Sequence, residues 1–220
     1  MPRPVQPGLI RATHWANVVL LAIMAGSGLQ ILVAYPFLGP KGALFGWYPL
    51  QGRPPPSLFT VGQWLAGARN WHFAFAWLFT VNALAYGVYL FASGEWRQRL
   101  LWARRDARNA WLTVLHDLRL RKAAPPPAGL YNGMQRLVYT GVLLAAMLLV
   151  FSGLALYKPV QLPRLTALLG GYDGARAVHL FMLAALAAFT VIHVVQVALH
   201  PRTLVDMTTG GGRDRQEGAP

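Results

Sequence analysis

The chain has 220 residues, 55% of them hydrophobic and only 12% charged, against about 25% charged in an ordinary soluble domain. It has no cysteine, which excludes a disulfide scaffold, a cysteine-ligated zinc or iron–sulfur site and a thiol nucleophile. Twenty Lys and Arg against seven Asp and Glu give a net charge of +13, but the basic residues gather between long uncharged stretches. That is the pattern of membrane spans with basic ends and loops, not of a soluble nucleic-acid binder.

A bilayer core of about 30 Å takes about 20 apolar helical residues. Residues 12–34 form the first such stretch, uncharged after Arg11; it is too long for the apolar region of a cleaved signal peptide. The connection from Tyr35 to Asn70 is rich in Pro, Gly and aromatics, among them Trp47, Trp64 and the run Pro54-Pro55-Pro56. It reads either as a lid at headgroup level or as a partner-docking surface. Residues 71–92 form a second span without charge. Residues 101–120 fail as a span because they hold Arg104, Arg105, Asp106 and Arg108. Ala107, Trp111, Val114, Leu115 and Leu118 nevertheless fall at helical spacing, which predicts a basic amphipathic helix on the membrane surface, with a solvated helix as the alternative. Residues 137–157 and 177–199 are the third and fourth spans, the last with two histidines inside it. Residues 208–220 are Gly-rich and polar and read as a disordered tail, leaving 1–207 as one membrane domain. The predicted class is all-α, an integral membrane four-helix bundle with its sites in the core.

Fourteen of the basic residues lie in the two termini and the connection between the second and third spans, and six in the other two connections. The excess places both termini in the cytoplasm, as an even number of spans requires.

Four of the six histidines lie in the spans, where ionisable groups are costly and usually functional. His179 and His193 are fourteen residues apart on one span. At about 100° per residue they share a face, and at 1.5 Å rise they differ in depth by about 21 Å. The alternating direction of the spans puts His14 at the inner level with His193, and His72 at the outer level with His179. Two facing pairs stacked in a helical bundle describe two bis-His haem sites. Neutral imidazole suits both iron and an apolar surrounding. Zinc or a binuclear centre fits poorly, because no carboxylate lies in any span and the two pairs are too far apart to share metals. Arg11, Arg69 and Arg176 each precede one of these histidines by three residues. An Arg one turn nearer water can hold a haem propionate, although Arg is also common at helix ends. Ser27-Gly28-Leu29 and Ser152-Gly153-Leu154 repeat one string in the first and third spans, where small residues allow a macrocycle or a helix to come close.

The strings Arg11-Ala12-Thr13-His14-Trp15, Trp71-His72-Phe73 and Tyr131-Asn132-Gly133-Met134-Gln135-Arg136, together with the His179 and His193 pair, resemble the dihaem cytochrome b subunits of formate dehydrogenases and nickel–iron hydrogenases. The branch they are most similar to is that of the thiosulfate-reductase-type cytochromes b, and the resemblance covers residues 8–205. It implies an electron-transfer subunit in a bacterial inner membrane. His72 and His179 would hold an outer haem b, and His14 and His193 an inner one. The resemblance places a quinone site at the inner haem, near the start of the third span. That makes Asn132 and Gln135 quinone-site candidates, with His193 close by. An amide can donate to a quinone carbonyl; a helix-capping role for the same two residues is the alternative. The implied partners are membrane lipid, a quinone or quinol, and a separate catalytic oxidoreductase on the periplasmic side, with molybdenum-cofactor chemistry as the leading class. Nothing in the chain resembles a substrate-oxidising active site.

Two readings of another class stay open from the sequence. One is a haem-free anchor or transporter whose histidines relay protons. The other is a self-contained transmembrane reductase of small acceptors such as ferric chelates.

Overall fold

A computed structural model describes residues 6–34, 55–101, 104–117, 119–123 and 131–211. Those residues form eight α-helices: α1 (Gly8–Ala34), α2 (Leu65–Ala92), α3 (Trp96–Arg99), α4 (Arg104–Asp117), α5 (Gly133–Tyr157), α6 (Pro163–Leu168), α7 (Gly171–Leu199) and α8 (Arg202–Thr209). The aromatic-rich first part of the connection after α1, residues 35–54, lies outside the described residues.

Four helices, α1, α2, α5 and α7, are long and apolar enough to cross a membrane. Their 27, 28, 25 and 29 residues reach roughly 40 Å at 1.5 Å per residue, more than the apolar core of a bilayer requires. Each contains one of the four apolar stretches and begins a turn or more before it. The added turns carry Arg11, Arg69, Arg136 and Arg176. These residues break the apolar run, but they leave the backbone helical where a span enters the headgroup layer. Val18, Val19, Leu84, Phe181, Val191 and Ile192 face outward on these helices. So much apolar surface suits lipid and not water. The fold is a membrane helical bundle.

The chain divides into two compact units, one of Met1–Tyr86 with Leu149–Pro220 and one of Gly87–Leu148. In the first unit a single 3-10 turn, Ser57–Phe59, leads back to α1, and the Val61 N–H donates to the Gly26 carbonyl at 3.1 Å. Gly26 allows this approach: a Cβ there would stand 2.8 Å from a Val61 methyl. Nearby in the same unit, Asn82 of α2 donates through Nδ2 to the Thr13 carbonyl at 3.0 Å and to Asn17 Oδ1 at 2.8 Å, both on α1. The C-terminal helix docks on the start of α1. The Gln6 N–H, the Arg11 guanidinium and the Trp15 indole N–H donate to the carbonyls of Gly210, Thr208 and Met207. The carbonyls left over at one helix end thereby meet donors at the start of another helix. This corrects the expected tail: Thr208 and Thr209 close α8 instead of being disordered, and residues 212–220 lie outside the described residues.

In the second unit, α4 is shorter than the expected 101–120 and buries a polar stripe. Asp106, Asn109, Ala110 and Thr113 are buried, while Trp111 is exposed. The buried residues recur at i, i+3, i+4 and i+7, one helix face. The apolar residues read from the sequence fall one position later, which turns Trp111 outward. Polar groups can be buried here because each meets a partner. Asp106 pairs with Arg136 at 3.2 Å, and Asn109 Oδ1 accepts from the Gly133 N–H at 2.7 Å. Arg99, also buried, bonds Glu95 at 3.0 Å and donates to the Tyr131 hydroxyl at 3.0 Å. Thr140 Oγ1 accepts from the Leu101 N–H at 2.9 Å.

Candidate haem site

The geometry brings the four span histidines together in two pairs. His72 on α2 and His179 on α7 have ring centres 6.2 Å apart, and His14 on α1 and His193 on α7 have ring centres 6.0 Å apart. These are the two pairings expected from depth. All four residues belong to the first unit. Among the described residues no group of three or more His, Asp or Glu side chains converges, so each pair stands as a two-ligand set.

The spacing can be tested against haem. A metal held by one nitrogen of each ring, at about 2 Å per bond and about 1.1 Å from nitrogen to ring centre, would set the two ring centres about 6.2 Å apart. Both pairs match. Edge-to-face ring packing occupies the same range, so the surroundings of the rings decide. Ser27 Oγ lies 3.0 Å from His72 Nδ1, and Ser152 Oγ lies 2.9 Å from His179 Nδ1. With Nδ1 engaged, Nε2 is the nitrogen left for iron. Next to each serine is a glycine. A Cβ at Gly28 would stand 3.3 Å from His72 Cε1, and one at Gly153 would stand 3.3 Å from His179 Cε1. The repeated small-residue string therefore makes room for an imidazole of a neighbouring helix, where the sequence suggested room for the macrocycle itself. The His14 and His193 pair has aromatic neighbours: Trp15 stands edge-on to His14 at 5.5 Å, and Phe189 stacks on His193 at 5.6 Å.

The three arginines are unequal. Arg11 Nε is buried without a hydrogen-bond partner among the described residues, while its Nη1 reaches Thr208. An orphaned guanidinium N–H near His14 suits a propionate oxygen. Arg69 lies over the Phe73 ring at 5.5 Å, and Arg176 is 3.9 Å from Asp173. Both stand at the helix starts the sequence indicated. The residues present thus fit haem: imidazole nitrogens in facing pairs, a serine hydroxyl on Nδ1 of two of them, and a guanidinium N–H to spare.

Asn132 and Gln135 form a reciprocal cap at the start of α5. The Asn132 N–H donates to Gln135 Oε1 at 3.0 Å, and the Gln135 N–H donates to Asn132 Oδ1 at 2.8 Å. This is the capping role the sequence left as the alternative. The cap uses the amide oxygens and not the NH2 groups. Sequence reasoning did not find the bonds from Ser27 and Ser152 to the imidazoles; the duplicated Ser-Gly-Leu string was the available signal.

With its four spans and paired imidazoles, the molecule has the form of a membrane haem protein, and comparison with known proteins agrees. The model of the prokaryotic cytochrome b561 family matches residues 5–210, and the chain belongs to that family. It is 38% identical over 207 residues, 94% of this chain and 96% of the relative, to a protein of Azospira oryzae named as a candidate protein-methionine-sulfoxide reductase subunit, YedZ1. No solved structure matches it. The chain is a membrane b-type cytochrome, an electron-transfer protein that binds b-type haem.

Proposed function

We propose that this cytochrome binds two haems b, one between His72 and His179 and one between His14 and His193, and carries electrons between the quinone pool and a partner oxidoreductase outside a bacterial inner membrane. The observation that carries this reading is the pair of ring separations, 6.2 and 6.0 Å, each the width of an imidazole–iron–imidazole stack. Bound haem supplies one-electron redox chemistry at two depths about 21 Å apart along α7. The protein's part is to hold neutral imidazoles in place, to exclude water with apolar helices, and to meet propionate charge with Arg11 at the wet edge; Arg69 and Arg176 take the same role at the other end. The excess of basic residues in the termini and the connection between the second and third spans supports cytoplasmic termini in this reading. The relative's name points to a partner that reduces methionine sulfoxide in proteins, and the formate-dehydrogenase resemblance points to molybdenum-cofactor chemistry in that partner. A reduced-minus-oxidised spectrum with a haem-to-protein ratio tests the reading. Two b-type haems per chain are expected. A colourless purified protein would favour the proton-relaying transporter instead.

Asn132 and Gln135 contribute to quinone binding in this reading, through the amide NH2 groups that the cap leaves as donors. Asn132→Ser keeps a good capping residue but removes the amide. Quinol-dependent haem reduction is then expected to slow about tenfold, the loss of one hydrogen bond of roughly 1.4 kcal/mol, while dithionite reduction keeps its rate. Equal quinol rates in variant and wild type would remove the quinone role of Asn132.

A further inference from the structure

The two serines of the repeated string differ from ordinary helix-packing residues in what they touch. Ser27 and Ser152 are both fully buried. Each bonds a carbonyl of its own helix, Ile23 at 2.7 Å for Ser27 and Leu149 at 3.3 Å for Ser152. Each also meets the Nδ1 of a histidine on another helix, at 3.0 and 2.9 Å. A hydroxyl has one proton to donate. Once that proton is committed to a helix carbonyl, the oxygen can only accept from the imidazole. That arrangement calls for an N–H at Nδ1 and leaves the Nε2 lone pair free.

A ligating histidine that donates its other N–H is a more basic ligand and is fixed in orientation. A more basic ligand stabilises ferric over ferrous iron and lowers the reduction potential. Among the described residues the rings of His14 and His193 have aromatic neighbours and no such hydroxyl.

We infer that Ser27 and Ser152 are positioning residues that hold His72 and His179 in the Nδ1–H tautomer, offer both Nε2 atoms to one iron, and keep that haem at a lower potential than it would have without them. This rests on the two-haem reading. The wild-type haem count tests that reading separately: a single haem per chain would sink the pairing, whatever the serine variants do.

The experiment is a potentiometric titration of the purified holoprotein with Ser27→Ala, Ser152→Ala, and the near-isosteric Ser152→Cys, whose sulfur is a weak acceptor. One of the two potentials should rise in each variant, by about tenfold in the reduction equilibrium or ~59 mV for a one-electron couple, and the other should stay in place. The low-spin electron paramagnetic resonance signal of the same haem should shift with it. If the alanine variants lose that one haem, the hydroxyl is needed for ligation itself, and the cysteine variant shows the potential shift in an intact site. Cysteine and alanine variants that keep both wild-type potentials overturn the inference, as does a change of equal size at both haems or the loss of both.

Discussion

With two haems bound as proposed, His193→Ala is expected to lower the haem-to-protein ratio from two to one and to leave a single wave in a redox titration. His193 is one of two rings in its pair, and His14, its neighbour at 6.0 Å, has no second imidazole to share an iron with once it is gone. One imidazole cannot hold an iron from both faces, and among the described residues no group of three or more His, Asp or Glu side chains offers a replacement. The other pair, His72 and His179, keeps its geometry, because α7 positions His179 fourteen residues from the substituted site. His72→Ala should empty the other site in the same way, and the two variants should retain haems of different potential. His116, on α4 outside the spans, supplies the control, and His116→Ala should keep both haems. Two haems retained in His193→Ala would show that the pairing drawn here is wrong.

Asp106→Ala is expected to cost stability on the scale of about 3–5 kcal/mol, the range for removing one partner of a buried ion pair. Asp106 and Arg136 are 3.2 Å apart, with side chains only 3% and 7% exposed. Removing the carboxylate takes away the counter-charge of a guanidinium that water reaches poorly. Thermal unfolding in detergent would show a lower midpoint, and limited proteolysis would show earlier cutting in α4. Replacing both residues by leucine should recover most of the loss, since an apolar pair has no charge to desolvate. A melting curve for Asp106→Ala that superimposes on wild type would mean that the pair is solvated in the native protein.

The spans were legible because a bilayer sets their length and excludes charge, so composition alone marks them. The helix at residues 104–117 was legible as a helix, but the face it buries was not. The spacing of Trp111 and its apolar neighbours suggested a membrane-facing stripe, and Asp106, Asn109 and Thr113 form a buried stripe beside it. Burial of those groups depends on partners such as Arg136 and the Gly133 N–H, which periodicity does not reveal. The end of α8 was missed for a related reason. Its polar composition reads as disorder until the donors of α1, almost two hundred residues away in the chain, meet its carbonyls.

The sequence by itself determined four apolar helices and the separation of His179 from His193, because helical pitch turns a count of residues into a face and a depth. It also carried the pairing of rings by level, since spans alternate in direction. Only the tertiary structure decided which nitrogen of His72 and of His179 is engaged, which glycine yields to which imidazole, and that Asn132 and Gln135 cap their helix. Those facts come from side chains of different helices meeting within hydrogen-bond distance, 45 residues apart for Ser27 and His72 and 27 for Ser152 and His179. Local pattern governs backbone conformation; contacts at such separations exist only once the helices are side by side.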